Sequence, residues 1–150
     1  MSNSNSATSW VLEHEYTNFA WGYTHNYTLL FSDGRMARYS KKPNTQDLSF
    51  NDVLGNVEFY QNFTVKDDLS FVTNFTDYVQ QNGVTLSESV HTSCDAGDNK
   101  FKLHVNNSTY EFYCCGDFTR EPVASDDIKQ IAKNIETLFV KQENLLRNYK

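Results

Sequence analysis

Asn99-Lys-Phe-Lys-Leu-His-Val-Asn-Asn-Ser-Thr-Tyr-Glu-Phe-Tyr-Cys-Cys115 carries two apolar–polar runs on either side of an Asn-Asn pair. Phe101, Leu103 and Val105 alternate with Lys100, Lys102 and His104. That period of two belongs to a strand with one buried face. Asn106-Asn107 can fill a two-residue type I′ turn, because Asn tolerates positive φ. The resulting register sets Leu103 opposite Tyr110, Phe101 opposite Phe112 and Lys102 opposite Glu111. Apolar then meets apolar on one face, and plus meets minus on the other. On this register Cys114 shares the face of Phe112 and Tyr110 and reads as a core thiol.

Upstream, Asp33-Gly34 marks an earlier hairpin, with Tyr27 to Phe31 leading in and Arg35 to Tyr39 leading out. Its loop holds either two residues or three with a Gly bulge. A strand from Trp10 to Tyr16 precedes it. Another, from Val57 to Val65, is expected to place Val57, Phe59, Phe63 and Val65 on one face. Between the hairpins Leu69, Val72, Phe75, Tyr78 and Val79 recur at helical spacing, with Asp67 as cap and Asn82-Gly83 as stop. Val84 to Val90 reads as a further strand.

After the second hairpin comes the clearest helix. Ser125 caps it, and Asp126 and Asp127 suit its dipole. Ile128, Ile131, Ala132, Ile135, Leu138, Phe139, Leu145 and Leu146 form its apolar stripe. Strands joined by hairpins favour an antiparallel sheet. The expected fold is therefore α+β: an antiparallel β-sheet built from hairpins, with one mid-chain helix and a long C-terminal amphipathic helix packed on one face. Residues 1–9 are small and polar and are expected to fray. Residues 10–150 are expected to form a single domain.

Composition narrows the function. The chain has 150 residues, 39% hydrophobic and 15% aromatic, which suits a packed core rather than disorder. Its net charge is −6, and its longest basic run is Lys41-Lys42. A nucleic-acid binder needs clustered cations for phosphates, so no nucleic acid is expected as ligand. A protein partner with a basic surface suits an acidic chain better. No apolar run approaches a membrane span, and no basic start with an apolar core marks a secretory signal. Three cysteines, Cys94, Cys114 and Cys115, argue with that for reduced thiols and a cytoplasmic setting. Asn-X-Ser/Thr patterns at Asn26, Asn62, Asn74, Asn106 and Asn107 leave a secreted glycoprotein as the competing reading.

The residues that could carry chemistry do not converge in the sequence. His91, Cys94, Cys114 and Cys115 alone have zinc-ligand character. Adjacent strand residues point to opposite faces, however, so Cys114 and Cys115 diverge. Structural zinc, a disulfide from Cys94 to one of the pair, and free thiols are the three readings. Free thiols, with no metal and no cofactor, are expected. His104 and Cys115 share a face by parity but lie far apart along the ladder, so a cysteine–histidine enzyme is not expected. Asp67-Asp68 and Asp126-Asp127 fall at helix starts, where capping accounts for them. Asp95 to Asn99 reads as a turn, because the spacing of a calcium loop is missing. There is no phosphate-cradling Gly-rich loop and no Gly-x-Ser-x-Gly elbow.

The order hairpin, helix, hairpin, helix resembles that of small bacterial peptidase inhibitors of the emfourin type. Acidic class I secretion chaperones also combine a sheet with helices, but they open with a helix that this chain lacks. Tyr27-x-Leu-x-Phe-x-Asp-Gly34 is ordinary hairpin grammar, so no functional residue is carried over from either.

The segment Tyr16 to Tyr27 concentrates aromatic residues. Such side chains build β cores, and they also dominate binding hot spots. Phe19, Trp21, Tyr23, His25 and Tyr27 are the candidate binding residues. The expected function is a non-enzymatic protein-binding domain, such as an inhibitor, immunity or anti-defence protein. The alternatives are a small-ligand binder or enzyme with a cavity between sheet and helices, and a structural subunit of a larger assembly.

Overall fold

The computed structural model describes residues 9–20, 22–43, 46, 48–88, 90, 91, 97–115 and 118–147. Trp21, Cys94 and the expected tail, apart from Ser9, lie outside these. A six-stranded antiparallel sheet forms the frame. Its strands are β1 (Val11–Asn18), β2 (Thr24–Phe31), β3 (Met36–Ser40), β4 (Glu58–Phe59), β6 (Asp98–Val105) and β7 (Ser108–Cys115), in the spatial order β4-β3-β2-β1-β6-β7. β5 (Val90–His91) and β8 (Phe118–Thr119) pair separately as a two-stranded sheet. The helices are α1 (Phe50–Leu54), α2 (Ser70–Asn82) and α3 (Asp126–Arg147).

Both hairpin turns follow from their residues. Asn106 and Asn107 have φ of 50° and 65°, as a type I′ turn requires. The Phe31 amide donates to the Arg35 carbonyl, and Gly34 has a φ of 94°. The first loop is thus the three-residue kind, with glycine in the left-handed region. Alternation divides the sheet into two faces. The inner face carries Leu12, Leu30, Met36, Phe101, Leu103 and Val105, buried with Val72, Phe75 and Val79 of α2 and Ile128, Ala132, Ile135 and Phe139 of α3. The outer face holds a smaller cluster of Tyr27, Leu29 and Val53, the last from α1.

Several details differ from the expectations. Lys102 pairs with Glu111 and Leu103 with Tyr110, but Phe101 pairs with Tyr113, because a bulge leaves Phe112 over. The bulge lets Phe112 and Tyr113 both enter the inner core. Past it parity is inverted, so Cys114 pairs with Lys100 and leaves the core face for the lysine face. Val57 to Val65 is a strand only at Glu58–Phe59. Asn62 has a φ of 57°, which ends extended structure there. Phe59 is exposed beneath Arg35, while Val65 enters the inner core, so the expected common face does not form. Asp67 does not cap α2. It accepts instead from Lys141 and Gln142 of α3, while Asp68 accepts from the Ser70 amide. On α3, Leu145 is 51% exposed and Gln142 is buried. The helices also occupy both faces of the sheet, because α1 covers part of the outer one. Its capping box, Ser49 with Asp52, fixes where it starts.

Candidate functional site

Two places on the sheet gather polar groups. The first is the outer face beyond α1. β1 sends Glu13 and Glu15 outward, β2 sends His25 and Tyr27, and β6 sends Lys102 and His104. They meet along diagonals, since neighbouring strands bring residues i and j±2 within reach of long side chains. Glu13 contacts His104 Nε2 at 2.5 Å, and His104 Nδ1 lies 2.8 Å from the Thr109 hydroxyl. Glu15 contacts His25 Nε2 at 2.7 Å and accepts from Lys102 Nζ at 3.2 Å. Phe50 of α1 lies flat over the His104 ring, centroid to centroid 3.5 Å. A cavity of about 400 Å³ opens beside these groups.

The electrostatics follow from burial and pairing. Burial alone would push the Glu15 carboxyl up, but His25 and Lys102 outweigh it and hold it below the usual range. Burial alone would push Lys102 down, and Glu13 and Glu15 reverse that. Burial, then the Glu15 and Glu13 charges, push the Tyr27 hydroxyl far up, so it stays neutral. The order Glu13, His104, Thr109 is the carboxylate–imidazole–hydroxyl order of acyl-transfer triads. It is also what burying Glu13 demands. The carboxylate needs a donor, and the donor's second nitrogen finds its cross-strand neighbour Thr109.

From this network an aromatic rail runs to the end of the sheet. Tyr39 stacks on Tyr27, Tyr27 on His25 at 4.9 Å, and Phe19 on Tyr23 at 5.2 Å. Tyr23 and His25 complete the rail, tilted at 6.4 Å. From Tyr27 outward burial falls: Tyr27 is 5% exposed, Tyr23 39% and Phe19 62%. The inner end of the rail is core, and the outer end is open. Lys41, itself buried, donates to the Tyr23 hydroxyl at 3.4 Å.

The second place is on the inner face, where the C-terminal half of α3 reaches the end of the sheet. His14 is held there between Glu143 and Asn99, both at 2.6 Å, and stacks on Phe101. A cavity of about 760 Å³ lies over it.

Of the candidate binding residues, Phe19, Tyr23, His25 and Tyr27 do come together, though His25 and Tyr27 are committed to the fold. Trp21 lies outside the described residues, and so does Cys94 with any pairing it makes. Among the described residues no group of His, Cys, Asp and Glu is placed to hold a metal. Burial, followed by Glu111, pushes the Cys114 thiol up, away from a reactive thiolate. Sequence reasoning missed the Glu13–His104 and Glu15–His25–Lys102 pairs. Their signal was alternation on β1, β2 and β6, which looks the same whether a polar face meets water or another polar face. No protein-family model, curated protein or solved structure matches this chain. Among the described residues no helix is long and apolar enough to cross a membrane.

Proposed function

We propose that this domain is a non-enzymatic protein-binding module, of the kind that inhibits or neutralises its partner, and that it docks through the open end of the aromatic rail. One observation carries this reading. Phe19 and Tyr23 are stacked on each other and exposed, while the rail behind them is anchored in the sheet. Exposing two large rings at one edge costs solvation free energy, and burying them against a partner recovers it. Because the rings are already stacked, little side-chain entropy is lost on docking. A net charge of −6 favours encounter with a basic partner surface.

The test is affinity capture from the source cell, run side by side with the wild type and with Phe19→Ala/Tyr23→Ala. The expected result is a specific protein retained by the wild type and lost from the variant, with the variant still folded by circular dichroism. A partner retained equally by both would place the docking surface elsewhere. Capture of none by the wild type would end the protein-binding reading. The enzymatic competitor has its own check: a serine/threonine-directed acylating probe should leave Thr109 unlabelled.

A further inference from the structure

Three strands change character at the same rung of the inner face. Leu12, Leu30 and Met36 lie side by side and are fully buried. One step along, the aligned residues are His14, Thr28 and Arg38. The next row is Tyr16, Asn26 and Ser40. Core packing therefore stops at one line on β1, β2 and β3, while Phe101 beside His14 on β6 stays buried, and polar groups continue beneath the end of α3. The space left there is the cavity of about 760 Å³, with α3 as one wall and Tyr60 at its border. That volume lies in the range of small-molecule sites, roughly 300–1,000 Å³.

The charges within it are unbalanced. Glu143 is engaged by His14. Arg38 and Arg147 both line the cavity, and among the described residues neither forms an ion pair. Arg38 is steadied by the Tyr60 ring, with its guanidinium carbon 5.2 Å from the ring centre. Stacking of that kind fixes a guanidinium plane while leaving its N–H edge free for a planar or tetrahedral anion. Two unpaired arginines facing one concavity are unexpected in a chain of net charge −6. Both His14 nitrogens are occupied, so His14 is a positioning residue that ties α3 to the sheet.

We propose that this cavity is a binding site for a small anionic molecule bearing a phosphate or carboxylate group, held by Arg38 and Arg147 with Thr28 and Asn26 supplying hydrogen bonds. The site lies on the face opposite the aromatic rail, so it stands or falls independently of the docking reading.

The experiment is a titration of the full chain followed by amide NMR, with inorganic phosphate and citrate as separate probes. Ionic strength is held constant with chloride. The expected result is saturable shifts at Thr28, Arg38, Asn99 and Arg147 with at least one probe at millimolar concentration. Affinity should fall tenfold or more in Arg38→Gln/Arg147→Gln. Both arginines are exposed, so the variant should keep the wild-type spectrum elsewhere. A response to phosphate alone names a phosphate ligand, and one to citrate alone a carboxylate. The proposal is overturned if neither probe saturates, or if the double variant binds as tightly as the wild type.

Discussion

His14 sits where burial and charge pull its proton in opposite directions. Burial, the larger single effect, would lower the pKa of a ring only 8% exposed. Glu143 and Asn99 together prevail, and the pKa lies above its ordinary 6.5. A raised folded-state value means that the charged ring stabilises the fold fully below the unfolded pKa. That stabilisation is lost as pH rises through the folded value. Glu143→Gln should therefore cost about 1–3 kcal/mol near pH 6, and progressively less at higher pH. Urea unfolding of both proteins across pH would check this, with the His14 NMR inflection dropping in the variant. Cys114 offers a second prediction at this scale. With its thiol pushed up by burial, it should react with iodoacetamide much more slowly than a free thiol at neutral pH. Single residues were legible where alternation or helical spacing was undisturbed. Cys114 was misplaced because one extra residue upstream inverts its parity. Gln142 was missed because a polar side chain on an apolar stripe looks like surface until Asp67 is seen to accept from it.

Secondary-structure elements were legible where local chemistry suffices. The Asn106-Asn107 turn and the Asp33-Gly34 loop needed only positive-φ tolerance, and α3 only a helical period. The bulge in β7 was not readable, because its reason is tertiary. It trades a buried Cys114 for a buried Tyr113 and wedges Phe112 against Phe75, centroids 5.2 Å apart. Phe112→Ala should cost about 3–5 kcal/mol in chemical denaturation, because the hole lies between sheet and helix. α1 escaped notice because its five residues are too few to show a period. Its hold on the outer face can be tested through its cap. Ser49→Ala should destabilise by about 1 kcal/mol and speed amide exchange at Val53 while leaving α3 unchanged. Gly97 is another element-scale constraint. Its φ is 82°, and a Cβ there would stand 2.6 Å from the Thr17 carbonyl oxygen, so Gly97→Ala should disrupt the start of β6.

Over the whole molecule, the fold arranges two polar places on opposite faces of one sheet and leaves an aromatic edge between core and solvent. The antiparallel sheet with a mid-chain and a C-terminal helix was visible in the sequence, because hairpins and helical periods are local. The candidate site was visible only in part. Tyr16 to Tyr27 announces itself by composition, but which rings are buried depends on the stacking of Tyr27 over Tyr39, set by the pairing of β2 with β3. The docking proposed above places a protein partner on the exposed end of that rail. Hydrogen–deuterium exchange on the isolated domain and on its captured complex tests this most directly. The expected result is new protection concentrated in the chain from Asn18 to His25, with α2 and α3 unaltered. Protection confined to the helices, with that segment exchanging as in the free protein, would contradict it.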